Sequence, residues 1–203
     1  MSKIKAITIA DNEEFLRQIS KPVEINDPDL EENIAILEEY CKKHDKILAM
    51  AAVQLGIPKR LIYIKNTNID LITKPQSDKT EEEKSYNEAR VLINPKIISR
   101  EGLTEDWEVC ASCLDNIGRV KRPYKIYVEF YDINGNKKTE IFEGFESTVL
   151  SHEIDHLDGI LHMDIAEEVI NVPKEKRREF WNNHKSYVII SKTGKYEDLN
   201  SGK

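Results

Sequence analysis

Nowhere does the 203-residue sequence hold an apolar run near the roughly 20 residues that a membrane-spanning helix needs. Its first fifteen residues, MSKIKAITIADNEEF, lack the apolar core of a secretory leader, and their early acids do not suit an organellar transit peptide. Cations are the minority, since 30 Lys and Arg against 37 Asp and Glu give a net charge of -7. That balance excludes a general nucleic-acid binder, whose phosphate contacts need a cationic surplus, and leaves room only for a local basic patch. Three cysteines (Cys41, Cys110 and Cys113) cannot all pair with one another, which argues against a disulfide framework. Internal repeats and low-complexity blocks are missing as well. These absences predict a reducing, cytoplasmic setting with no membrane contact, where clustered Cys and His serve a metal rather than a staple.

What is there fits one domain over 1–203 with a sizeable core. The 39% hydrophobic and 33% charged shares are those of an ordinary globular protein. Asp27-Pro28 reads as an N-cap and first helical residue, and Leu30, Ile34, Leu37 and Cys41 then recur at helical spacing. A helix over about 28–43 follows, with Cys41 as a core residue of its stripe. Residues 61–64 and 91–98 read as strands. Between them, 66–89 is too poor in apolar residues to pack alone and reads as a surface insertion. The charge runs at 81–83 and 174–178 read as solvated faces.

Residues 127–131 alternate toward Asn134-Gly135, a hairpin turn, and 138–142 return. After Gly144 the period becomes helical. Leu150, Ile154, Leu157 and Leu161 form one apolar stripe, Phe145, Val149, His152 and His156 lie near another, and Gly159 marks the end. Pro173 starts a last helix to about Asn183, followed by a short strand over 187–190. Strands around one central buried helix predict an α+β domain.

The segment His152-Glu153-Ile154-Asp155-His156 concentrates the chemistry. Histidines four apart on a helix project from one face about one turn apart, so both imidazoles can reach one cation. Glu153 sits beside them without being obliged to ligate, which frees it to handle protons of a water. The third ligand has three answers. His162 completes H-E-x-x-H-x-x-G-x-x-H, the metzincin pattern, yet the last methionine, Met163, is adjacent to it and no downstream methionine turn follows. Alternatively, Cys110 and Cys113, a C-x-x-C pair, join both histidines in a closed structural zinc module that leaves no position for water and Glu153 idle. Or one cysteine ligates alone and a coordination position stays open.

For that last answer the motifs are specific. Ile47-Leu48-Ala49-Met50-Ala51-Ala52-Val53-Gln54 resembles G-x-G-x-A-A-x-Q, Glu108-Val109-Cys110-Ala111-Ser112 resembles E-G-C-L-S, and His152 through Gly159 matches H-E-x-D-H-x-x-G throughout. LRQISKP at 16–22 and VLINPK at 91–96 are similar in kind. With these motifs in this order over nearly its whole length, the sequence resembles the peptide deformylase family. Counting back from His152 without a gap places the family's cysteine ligand on Cys110 and its Arg-Pro on Arg122-Pro123, leaving Cys113 as a small buried residue nearby.

The resemblance implies a deformylase-like α+β fold, with mixed or antiparallel sheets packed around a central metal-binding helix. It implies one metal ion per chain on Cys110, His152 and His156, Fe(II) in the cell with zinc or nickel as substitutes. The implied substrate is a formylmethionyl polypeptide, from which the formyl group leaves as formate. Glu153 is then the proton carrier, and the Gln54 amide and the Ala111 backbone N–H are the donors to the developing oxyanion. Leu48, Ala49, Phe145 and Val149 match substrate-binding positions, and Glu108 with Arg122 braces the Cys110 loop. A cotranslational activity also fits association with the ribosome, although no residue displays it. Ile47 and Ala49 replace both glycines of the first motif, and Ala49 adds a methyl where substrate backbone approaches. A low-activity, deformylase-like protein with a reshaped groove therefore stands beside the full enzyme as a reading.

Overall fold

A computed structural model of the chain describes residues 4–24, 26–44, 46–65, 76–78, 80 and 89–201. The expected insertion at 66–89 falls largely outside them. In chain order the elements are α1 (Ile9–Leu16), α2 (Leu30–Lys43), β1 (Ala49–Ala51), β2 (Leu61–Ile64), β3 (Arg90–Val109), β4 (Asn116–Arg122), β5 (Lys125–Tyr131) and β6 (Lys137–Glu143). They continue with α3 (Phe145–Leu157), α4 (His162–Ile165), β7 (Glu168–Asn171), α5 (Arg177–Asn183), β8 (Tyr187–Lys195) and α6 (Tyr196–Asn200). The expected α+β class stands.

The strands form one sheet whose ladders are antiparallel, in the order β1-β2-β3-β4-β7, with β5 and β8 also on β3 and β6 on β5. β3 is the spine. Its first part pairs with β2 and β5, and its second part with β4 and β8. The sequence reading stopped this strand at residue 98, and the structure carries it to Val109. Alternation fails beyond 98 because Thr104, Asp106, Trp107 and Glu108 are all buried, so both faces are covered. Gly102, at φ +68, lets the spine turn between its two halves. A Cβ there would lie 2.6 Å from the Ser191 carbonyl oxygen on β8, so the close approach of β8 also requires glycine.

α3 is the central helix. Leu150, Ile154 and Leu157 pack against Ile62, Leu92, Val128 and Phe130 from the sheet, in a cluster of residues at most 5% exposed. Burying side chains of this size stabilises the fold by about 1.5–3 kcal/mol each. Leu161 does not extend that stripe, because α3 ends at Leu157, with Gly159 in the left-handed region at φ +75, and Leu161 instead packs with Leu16, Cys110 and Cys113. α2 lays Leu37 and Cys41 on a second cluster with Met50, Leu61 and Tyr63, as the periodicity required. Its cap differs: Asp27 forms a turn two residues upstream by accepting from the Asp29 N–H at 3.1 Å, and the helix opens at Leu30. The hairpin between β5 and β6 turns through Gly135 at φ +79, as expected. The last helix begins with a 3-10 turn, Lys174–Lys176, before α5, and β8 runs five residues past the expected end to pair with β3. Among the described residues, no helix is long and apolar enough to cross a membrane.

Candidate metal centre and active-site cavity

α3 presents His152 and His156 one turn apart, with ring centroids 4.9 Å from each other. Facing them is Cys110, where β3 ends and a 3-10 turn, Ala111–Cys113, begins. Its Sγ lies 3.2 Å from His156 Nε2, and the ligand atoms of Cys110, His152 and His156 all fall within 4.8 Å of one another. The Cys110 sulfur also accepts from the Ser112 backbone N–H at 3.4 Å and the Gln54 amide at 3.5 Å. Two imidazole nitrogens and one sulfur, nearly dry and convergent, are a donor set suited to a first-row divalent cation.

The charges behind the cluster orient it. Glu108 faces the His152 Nδ1 at 2.7 Å, which leaves Nε2 for a metal. The same carboxylate accepts from Arg122 at 2.7 and 3.0 Å, and Arg122 donates onward to Asp155. Arg122 and His152 hold the Glu108 carboxyl well below the usual carboxylate range despite burial. Glu108 and Arg122, expected as a brace for the Cys110 loop, form a buried ion pair. Asp155, inside the H-E-x-D-H segment, completes it, a role that spacing alone did not reveal.

Glu153 is 6% exposed, and its Oε2 accepts from the Ala51 N–H at 2.7 Å. Burial pushes its carboxyl up to about 7. Gln54, also buried, fixes its own amide: Oε1 accepts from Ala51 N–H at 3.1 Å, and Nε2 donates to Ser112 Oγ at 3.0 Å. One cavity of about 880 Å³ is lined by Glu153, Gln54, Glu108, Cys110, Ala111 and His152 together with Leu48, Ala49, Phe145 and Val149. His156 and Arg122 sit behind it, 0% and 4% exposed.

The competing ligand sets do not assemble. Cys113 is outside the Cys110–His152–His156 group and falls instead with His162 in a second group that shares Cys110. Among the described residues the closed module of two cysteines and both helix histidines is thus not formed, and His162 does not converge with His152 and His156 on one point. His162 lies over the His152 ring at 5.7 Å and is packed on Gly118, where a Cβ would come within 2.8 Å of its ring.

Two contributors had no sequence signal. Asp106 lines the cavity from β3, and burial, then the Glu108 charge, push its carboxyl up to about 7. An acid whose native pKa exceeds its unfolded value near 4 binds an extra proton when folded between those limits, so stability falls as pH rises from 4 to 7. Asp106→Asn removes that penalty. Its melting temperature relative to the parent is expected to climb by several degrees between pH 4 and pH 8. A pH-independent difference would contradict a buried, proton-binding Asp106. The second contributor is Arg177, the one residue of the 174–178 run that is not exposed as the expected solvated face requires. Arg177 is half-buried and donates to the Leu114 carbonyl at 3.0 Å, and Lys174 and Arg177 both line the cavity.

An α+β scaffold whose buried helix aims two imidazoles, beside a carboxyl, at a cysteine sulfur defines a metallohydrolase-type centre. The family model described as polypeptide deformylase matches residues 4–171. Peptide deformylase 2 of Clostridium acetobutylicum is 37% identical over 158 residues, covering 78% of this chain and 93% of that protein. The peptide deformylase of Rhizorhabdus wittichii is 36% identical over 168 residues, 80% of this chain and 89% of that one. Among solved structures, a probable peptide deformylase from Synechococcus phage S-SSM7 superposes with a TM-score of 0.64 at 34% identity, covering 80% of this chain and 99% of that chain. The Synechococcus elongatus peptide deformylase in complex with actinonin gives 0.66 at 27% identity, covering 90% and 88%. The chain belongs to the polypeptide deformylase family.

Proposed function

We propose that this cavity removes the N-formyl group from the N-terminal formylmethionine of new polypeptides, by hydrolysis to formate and a free amine. The observation that supports it most is a buried carboxyl, Glu153, sharing one cavity with Cys110, His152 and the Gln54 amide, while His156 converges with Cys110 and His152 from behind it. Cys110, His152 and His156 hold one ion per chain, Fe(II) by family likeness with zinc or nickel as substitutes, and when bound it polarises the formyl oxygen and makes water acidic enough to attack near neutral pH.

Glu153 takes the proton from the attacking water and passes it to the departing methionine amine, so the formyl C–N bond breaks with its proton supplied. The Gln54 side-chain amide and the Ala111 N–H donate to the oxygen that gains charge. Each such donor is worth roughly 100- to 1000-fold in rate. Leu48, Phe145 and Val149 give the methionine side chain an apolar slot. Glu108, held by Arg122, keeps the His152 ring in the tautomer and orientation that ligation needs. We read 1–203 as one catalytic domain with 66–89 as a surface insertion, working in the cytoplasm where formylated chains emerge.

Formate release from a formyl-Met-Ala-Ser peptide, measured anaerobically on Fe(II)-loaded protein, is the direct test. Protein that carries one ion per chain and releases no formate would remove this reading. Slow release at full metal occupancy would favour the reshaped groove instead, because Ile47 and Ala49 line the cavity where the family motif carries glycine.

A further inference from the structure

The family match ends at residue 171, yet the cavity does not. Lys174, Arg177 and Trp181 come from the segment beyond it and line the same space as His152 and Glu153. That segment is built in rather than appended. β8 pairs with β3 from Glu101 to Asp106, and the Trp107 N–H donates to the Ser186 carbonyl at 3.0 Å. Phe180 is 7% exposed and meets Trp107 edge-on at 5.2 Å, while His184 stacks on Phe180 at 4.1 Å. Arg177 ties the helix to the metal-side loop through the Leu114 carbonyl and Asp115.

The chemistry of this outer wall is cationic and apolar together. Val109 and Leu114, 48% and 46% exposed, give it an uncovered hydrophobic strip. Asp115 is already paired with Arg177 at 3.2 Å, and the Arg177 Nε is buried without a hydrogen-bond partner. Lys174 has no anionic partner among the described residues. A chain of net charge -7 thus turns Lys174, a cation unpaired among the described residues, toward its own reaction cavity, beside an Arg177 already matched by Asp115.

We propose that Lys174, Arg177 and Trp181 form an outer substrate subsite that takes the residues downstream of the methionine and selects peptides carrying a carboxylate side chain there. This rests on the deformylase reading, because it assigns the occupant of the same cavity. An extended peptide advances about 3.3 Å per residue, so the carboxylate enters the wall's reach only some residues past the reacting amide. Its attraction is exposed and therefore screened by salt.

The test moves a single Glu or Lys through positions two to five of formyl-Met peptides with otherwise neutral side chains. At the best position kcat/KM for Glu is expected about 10-fold above that for Lys at low salt, closing toward parity at high salt. Lys174→Glu is expected to reverse the order, with Lys now the preferred side chain at that position. Calorimetric binding of the matching deformylated Glu and Lys peptides to metal-loaded protein gives the same comparison without catalysis. If no peptide releases formate, the deformylase reading fails, and a Glu preference in binding that reverses in Lys174→Glu still upholds the subsite. Equal kcat/KM and equal binding for the Glu and Lys series, or a preference that Lys174→Glu leaves intact, overturns it.

Discussion

Glu153→Gln is expected to lower formate release about 1000-fold while the protein keeps one metal ion per chain. The amide has the shape of the carboxylate, and its oxygen can still accept the Ala51 N–H that Glu153 accepts at 2.7 Å. Burial, packing and that hydrogen bond therefore survive, and only the capacity to carry a proton is lost. Had Glu153 merely held the Ala51 strand in place, glutamine would serve equally well. Activity above about a tenth of the parent would thus remove Glu153 from the chemistry. Burial pushes the carboxyl up to about 7 without a cation, and a nearby 2+ charge draws it back down. The acidic limb of kcat/KM is accordingly expected below pH 7 and should be lost with the carboxylate in Glu153→Gln.

Much of this centre was legible because its geometry is local. A spacing of four on one helix fixes where His152 and His156 point relative to each other, and the Leu150–Ile154–Leu157 stripe says which side is buried. The choice of Cys110 over Cys113 drew on the flanking Glu108 and Ser112, and both lie against the cluster: Glu108 faces the His152 Nδ1, and Ser112 accepts from the Gln54 amide. The hairpin at Gly135 was equally plain, since its turn chemistry and alternation agree.

What stayed hidden depends on contacts remote in sequence. Alternation identifies a strand only when one face is wet. The second half of β3 is covered on both faces, by α3 at Thr104 and Glu108 and by Phe180 of α5 at Trp107, and it buries Asp106 and Glu108. Arg122 escaped a strand reading for the same reason, because its charge is neutralised by Glu108 and Asp155 from distant elements. The run at 174–178 is typical of a solvated face in composition. The docking of α5 on Trp107 brings Arg177 to the cavity, and Lys174 reaches it from the 3-10 turn that precedes the helix. His162 is the opposite case, a motif-like histidine whose place is set by the room at Gly118.

The cysteine pair allows the strongest discrimination among ligand sets. Cys110→Ala is expected to leave the purified protein essentially metal-free under conditions where the parent holds one ion, and to abolish formate release. A two-imidazole remainder lacks both the thiolate charge and the third donor, so the affinity loss should exceed the roughly 10- to 100-fold typical of removing an outer partner. Cys113→Ala and His162→Ala, by contrast, should each retain one ion per chain, because neither atom belongs to the Cys110–His152–His156 group. Both side chains are buried, so these variants lose stability by packing, and metal content per folded protein is the quantity to compare. Metal lost in His162→Ala and kept in Cys110→Ala would move the centre to a three-histidine set. Metal lost in both cysteine variants would instead mark a closed site with no position for water, leaving Glu153 nothing to deprotonate.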